Sequence, residues 1–160
     1  MPLPVPRRYS KIEVPIHFIW ATAERRPLLT PEVERIAYRI IQTKAQQLEA
    51  TVLALNGMPD HVHLAVLFTP NVSIASFIRQ LKRSVTVAIR QQYGESLYFE
   101  WEPGYAAFGF PFGKRQVVMD YIRNQKMHHD NGKLIAYWEE IGEWRDGKLQ
   151  PTVLVHAAQL

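Results

Sequence analysis

Apolar and polar positions alternate from Lys11 onwards, after a proline-bearing lead-in that is not helical. Ile12, Val14, Ile16, Phe18 and Trp20 fall on one side, and Lys11, Glu13, Pro15 and His17 on the other. This period of two predicts a half-buried strand, with Pro15 marking an edge or a bulge and His17 on the water-facing side, either solvated or with a role near a ligand. The period then changes. Val33, Ile36, Ala37, Ile40, Ile41 and Leu48 recur at helical spacing behind Thr30-Pro31, an N-cap followed by proline at the first helical position. Thr51 to Leu55 reads as a short strand, Asn56 to Asp60 as a turn, and His61 to Phe68 as the returning strand of a hairpin.

A second helix is expected from Ser73 to Tyr93, stopped by Gly94, with Ile74, Phe77, Ile78, Leu81, Val85, Ala88 and Ile89 buried. Leu97 to Phe110 suggests two short extended pieces around Pro103-Gly104. A third helix is expected from about Arg115 to Asn131, closed by Gly132, and a last short helix from Leu134 to Trp144. Asp146-Gly147 reads as a turn, and Thr152 to His156 as a strand or tail. Helices packed on an antiparallel sheet, an α+β fold, accommodate this order. The order fits a ferredoxin-like arrangement with the histidine strand in the centre.

At 160 residues, and without an internal repeat or a second-domain linker, the chain suits one domain. No apolar run approaches a membrane span, and the proline-bearing N-terminus lacks a signal-peptide core. There is no cysteine, which excludes disulfides, thiolate metal sites and a cysteine nucleophile, and agrees with a cytoplasmic location. The formal charge of +4 permits an anionic partner. Arg79, Lys82, Arg83 and Arg90 gather on one side of the second helix, either as a solvated basic face or as a stripe that follows phosphates. Trp101, Tyr105, Phe108 and Phe110 are core residues or, in a second reading, base-stacking ones.

The candidate chemistry lies in Met58 to Phe68, MPDHVHLAVLF. Alternation puts His61 and His63 on one face, roughly 7 Å apart along the strand, while Val62, Leu64, Val66 and Phe68 take the other. Two imidazoles on one exposed face can converge on a single ion or phosphate; otherwise they are a half-buried pair. On the third helix Tyr121 and Gln125 are four apart and share a face, with His128 or His129 another turn on.

Together MPDHVHL, the basic helix, Trp101-Glu102-Pro103-Gly104-Tyr105, Tyr121-Ile122-Arg123-Asn124-Gln125 and the opening His17-Phe18-Ile19-Trp20-Ala21-Thr22 resemble the HUH-type transposases with a single catalytic tyrosine, a group that includes the REP-associated tyrosine transposases. The likeness spans roughly residues 8 to 130; the tail from 133 carries none of it. The resemblance implies a ferredoxin-like or RRM-like HUH endonuclease fold acting as a homodimer. It further implies His61, His63 and Gln125 as ligands of Mg²⁺ or Mn²⁺, Tyr121 as nucleophile, and single-stranded DNA with hairpin-forming element ends as substrate. Arg79, Lys82, Arg83 and Arg90 would then serve DNA binding.

The residue types suit this chemistry. Neutral imidazole and amide ligands leave a divalent ion's charge available to a phosphodiester, although imidazoles also accept Zn²⁺. A tyrosine with an ordinary pKa near 10 needs activation. Competing readings are a domesticated enzyme that only nicks or processes hairpins, a non-catalytic nucleic-acid-binding module, and a hydrolytic zinc enzyme.

Overall fold

A computed structural model describes residues 11–131, and the backbone of 140–145 and 148–153. Four strands, β1 (Pro15–Ala21), β2 (Thr51–Met58), β3 (His61–Leu67) and β4 (Ala106–Gly109), form one sheet in the order β2-β3-β1-β4, with every neighbouring pair antiparallel. Helices α1 (Pro31–Gln47) and α2 (Ile74–Tyr93) connect β1 to β2 and β3 to β4. This is the ferredoxin-like order, and its two inner strands are β1 and β3.

Local signals explain the helices. The Thr30 hydroxyl accepts the Val33 N–H at 3.4 Å and Ser73 Oγ accepts the Ser76 N–H at 3.1 Å, which satisfies one orphan donor at each N-terminus. Gly94, at φ +58°, ends α2 in a conformation that favours glycine. Val33, Ala37, Ile41 and Ala45 of α1 and Phe77, Ile78, Leu81, Val85 and Ile89 of α2 share one core with Ile16, Phe18, Trp20, Val62, Leu64 and Val66 of the central strands. Trp101 joins it edge-on to Trp20, and its indole N–H donates to the Lys82 carbonyl at 3.1 Å, so this tryptophan is core. Tyr105 packs against the same core from a half-buried position.

The other face of the sheet is covered as well. Helices α3 (Arg115–Arg123) and α4 (Gln125–Asn131) follow β4, and Val118 and Ile122 pack on Ala54 and Ala65. The sheet thus carries helices on both faces, and this shapes the site.

Several expectations are corrected. Ile12 and Val14 precede β1 and are 47% and 46% exposed, outside the core they were assigned to. Pro15 is the first residue of an inner strand, a place where a missing N–H is tolerated, and not the mark of an edge. Ile74, in the first turn of α2, is exposed. Strand β2 runs on to Met58 and pairs Met58 with His61, so the hairpin turn is only Pro59-Asp60. The expected third helix is two, because the chain breaks at Asn124. Residues 140–144, assigned to a last helix, lie in strand β5 (Glu140–Arg145), paired with β6 (Lys148–Val153) in a separate two-stranded sheet that includes Thr152. The β-branched and aromatic residues of this segment serve a pleated pair as well as a helix stripe. The remainder of that predicted helix, Asp146-Gly147 and the end of the predicted tail lie outside the described residues. Among the described residues, no helix is long and apolar enough to cross a membrane.

Candidate active site

His61 opens β3 directly after the turn, and its place is set from three sides. Gly57 lets the two strands approach: a Cβ there would stand 2.2 Å from the His61 carbonyl oxygen. The Pro59 carbonyl accepts the Leu29 N–H at 2.9 Å, and the Asp60 carbonyl accepts both the N–H and the hydroxyl of Thr22, at 3.0 and 3.1 Å. The turn is therefore tied to the segment that leaves β1.

His61 and His63 leave the same face, as alternation predicts, but that face is covered and the rings are 1% and 0% exposed. The pair is neither exposed nor half-buried, the two alternatives the sequence offers, because α3 and α4 lie over it. The ring centroids are 5.1 Å apart. His17, expected in water, is 1% exposed, since β1 is an inner strand with both faces packed. It belongs to the same group: its Nε2 lies 2.9 Å from His63 Nδ1. Asp60, also buried, places Oδ1 2.7 Å from His61 Nδ1. The carboxylate accepts that N–H, and in the neutral imidazole the lone pair then lies on Nε2.

The covering helices add the rest. Tyr121, 5% exposed, sets its ring nearly perpendicular to His63 at 6.0 Å and stacks on His128 at 5.1 Å. Gln125 is buried at 0% exposure, and its Oε1 accepts from His129 Nε2 at 3.1 Å. The His129 ring in turn lies 5.0 Å from His61. Tyr121 and Gln125 remain one turn apart, yet on opposite sides of the α3–α4 break. Asn56 holds that break to the sheet by donating to the Arg123 carbonyl at 2.9 Å. Lys126 donates to Asn56 Oδ1 at 2.7 Å and pairs with Glu34 at 2.6 Å, which pins α4 to β2 and α1.

The structure thus gathers His61, His63, Tyr121 and Gln125 around one buried centre, and adds His17, Asp60, His128 and His129. Sequence reasoning favours a solvated His17 over a role near a ligand, and uses Asp60 only as a turn residue. An acceptor immediately before a paired-histidine strand is a signal that could have found Asp60. No local signal reveals His17, because its contact spans 46 positions.

The basic helix lies elsewhere. Helix α2 packs on the sheet face opposite the histidines, where Arg79, Arg83 and Arg90 are exposed. Lys82 is half-buried, with Nζ donating to the Glu102 and Gly104 carbonyls at 2.8 and 3.0 Å. Burial lowers its pKa, and nearby Glu102 partly opposes that shift.

An antiparallel ferredoxin-like sheet with paired histidines under a tyrosine-bearing helix defines a class of small α+β domains with a buried histidine–tyrosine centre. The pattern that describes IS200-like transposases (Y1_Tnp) matches residues 10–125, and the chain belongs to that family. It is 32% identical over 117 residues to the ISDra2 transposase TnpA of Deinococcus radiodurans, covering 68% of this chain and 81% of the relative. Against the transposase for insertion sequence element IS200 of Salmonella typhimurium it is 26% identical over 127 residues, covering 75% and 82%. A crystal structure assigned to a Deinococcus radiodurans transposase superposes with a TM-score of 0.60 at 28% identity, over 76% of this chain and 97% of the other. A REP-associated tyrosine transposase bound to a REP hairpin shares the fold, with a TM-score of 0.57 at 20% identity over 82% and 76%.

Proposed function

We propose that this transposase cleaves and rejoins single-stranded DNA near hairpin-forming ends, with Tyr121 as nucleophile and His61, His63 and Gln125 as ligands of Mg²⁺ or Mn²⁺. The observation that carries the reading is the burial of Tyr121 against His63, in one centre with His61 and Gln125. Membership of a transposase family supplies the class of reaction.

The donor set fits a divalent ion. With its Nδ1–H taken by Asp60, a neutral His61 offers the Nε2 lone pair, and a Gln125 oxygen that already accepts from His129 keeps a second lone pair. When bound, the ion supplies neutralisation of phosphate charge.

The protein's own residues do the rest. The Tyr121 oxygen forms a bond to phosphorus as the bond from phosphorus to the departing 3′ oxygen breaks. That oxygen leaves as a 3′ hydroxyl after taking a proton, and the phenolic proton goes to solvent or a neighbouring base. The product is a 5′-phosphotyrosine, and reversal by another strand's 3′ hydroxyl rejoins DNA without a further energy source. Reaction requires the phenolic oxygen to come within roughly 3–3.5 Å of the reacting phosphorus. The exposed guanidinium groups of Arg79, Arg83 and Arg90, on the far face, suit contacts to the sugar–phosphate backbone outside the reacting centre. A homodimer, as the resemblance implies, completes the proposal; light scattering of the purified protein tests it.

The test is covalent capture. End-labelled hairpin DNA with a single-stranded flank, incubated with protein and Mg²⁺ or Mn²⁺, should give a denaturation-resistant adduct and a fragment ending in a 3′ hydroxyl. Tyr121→Phe keeps the ring packed on His63 and removes the attacking oxygen, so the adduct should vanish while the fold survives. An adduct that persists in this variant would sink the assignment and point to Tyr105 or Tyr137. Rejoining of a supplied 3′ hydroxyl strand separates strand transfer from nicking alone.

A further inference from the structure

Nothing so far gives His17 a task. It is an imidazole on an inner strand, buried to 1% exposure, and a buried polar ring is tolerated only when hydrogen-bonded. Its contact with His63 follows from strand register. Ile19 pairs with His63 across β1 and β3, so His17, two residues earlier on the same face, occupies the diagonal position that rings can span. The centroids are 5.1 Å apart and the nitrogens 2.9 Å.

We propose that His17 is a positioning residue: its Nε2 accepts the Nδ1–H of His63, which fixes the His63 ring and leaves the His63 Nε2 lone pair for the metal. The proposal rests on the reading of His63 as a ligand. A neutral imidazole carries one N–H and one lone pair, so the contact has two possible directions. Were His17 the donor, the His63 proton would sit on Nε2, and that nitrogen could not bind an ion without losing it. The opposite direction leaves it ready. Across the site His61 is arranged in the same sense, with Asp60 as acceptor for its Nδ1–H.

The choice of acceptor has an electrostatic consequence. One carboxylate beside the ligand pair strengthens His61 as a donor. A second, at position 17, would add a further negative charge where a phosphate must approach. His17 holds His63 as a neutral group.

The test uses the full chain. In protein labelled with ¹⁵N-histidine and free of metal, long-range proton–nitrogen spectra should show His63 as the Nδ1–H tautomer, and His17→Phe should abolish that preference. Mn²⁺ titration followed by electron paramagnetic resonance should show affinity reduced about 10- to 100-fold in His17→Phe, the size usual for a partner that orients a ligand. His17→Gln, whose Oε1 can accept the same proton, should recover most of the loss. If His17→Phe does not fold, His17→Gln is compared with the shorter His17→Asn at matched melting temperature, and Asn should bind Mn²⁺ more weakly. Wild-type affinity in His17→Phe, or in His17→Asn in its place, overturns the proposal, as does a His63 Nε2–H tautomer in the wild type. So does a loss that follows melting temperature and is not rescued by Gln. If wild type fails to bind Mn²⁺, or His63→Ala binds it equally well, the metal reading itself falls, which is a different result.

Discussion

Gly57→Ala tests whether close approach of β2 and β3 sets the site. The new Cβ would stand 2.2 Å from the His61 carbonyl oxygen, 3.0 Å from the Val62 Cα and 3.1 Å from the His61 carbonyl carbon. Ordinary contact begins at 3.4 Å, so about 1.2 Å of separation is missing at the closest atom. All three obstacles are backbone of an inner strand, and no side-chain rotation relieves them. Overpacking that side chains can absorb costs about 1–3 kcal/mol, and a rigid obstacle puts this substitution at the upper end, about 3 kcal/mol. For a domain of this size that corresponds to a fall in Tm of about 10 °C. Urea unfolding, followed by the fluorescence of buried Trp20 and Trp101, measures it. Gly113→Ala is the control, because a Cβ there meets nothing within 4 Å. It should stay within about 0.5 kcal/mol of wild type. Because the displaced atom belongs to His61, Mn²⁺ affinity should fall in Gly57→Ala under conditions where it remains folded. A loss below about 1 kcal/mol would refute the argument, since the strands would then have room that the structure denies them.

Neutralising Arg79 and Arg83 together with Gln should flatten the dependence of single-stranded DNA affinity on salt, by about 1.4 in the log–log slope if each meets one phosphate. An unchanged slope returns them to a solvated face. Lys82→Met should behave in the opposite manner. Loss of two charged hydrogen bonds to the Glu102 and Gly104 carbonyls should cost about 1–3 kcal/mol in urea unfolding and leave the salt slope alone. A flattened slope in Lys82→Met would show that this ammonium reaches DNA after all.

The strand–helix order was legible because it rests on local rules. Thr30-Pro31 and Ser73 announce helix starts, Gly94 a helix end, and the alternating Val62, Leu64 and Val66 a packed strand face. The errors fall where packing decides. Alternation from Ile12 is genuine, but the strand begins only at Pro15, and Ile12 and Val14 before it are exposed although the Val14 carbonyl still accepts the Phe68 N–H. Asn56 and Gly57 have turn composition, yet the first clamps the α3–α4 break and the second admits a neighbouring backbone. Each serves a tertiary need that matches a turn signal by residue type alone.

The candidate site divides along the same line. His61 and His63 were visible as a pair because a period of two acts within one strand, and Tyr121 with Gln125 because helical spacing acts within one turn. Burial was not visible. It follows from α3 and α4 closing over a face that a half-buried strand would leave to water, and it changes what the histidines can do. In water each imidazole is free to choose its tautomer and its orientation. Under this cover Asp60 dictates the His61 proton from a turn tied to Thr22. His17 meets His63 only because the sheet order places β1, and not β4, beside β3. A centre of this kind is written in pairings between distant segments, so its ligand candidates can be read from a motif while the groups that orient them cannot.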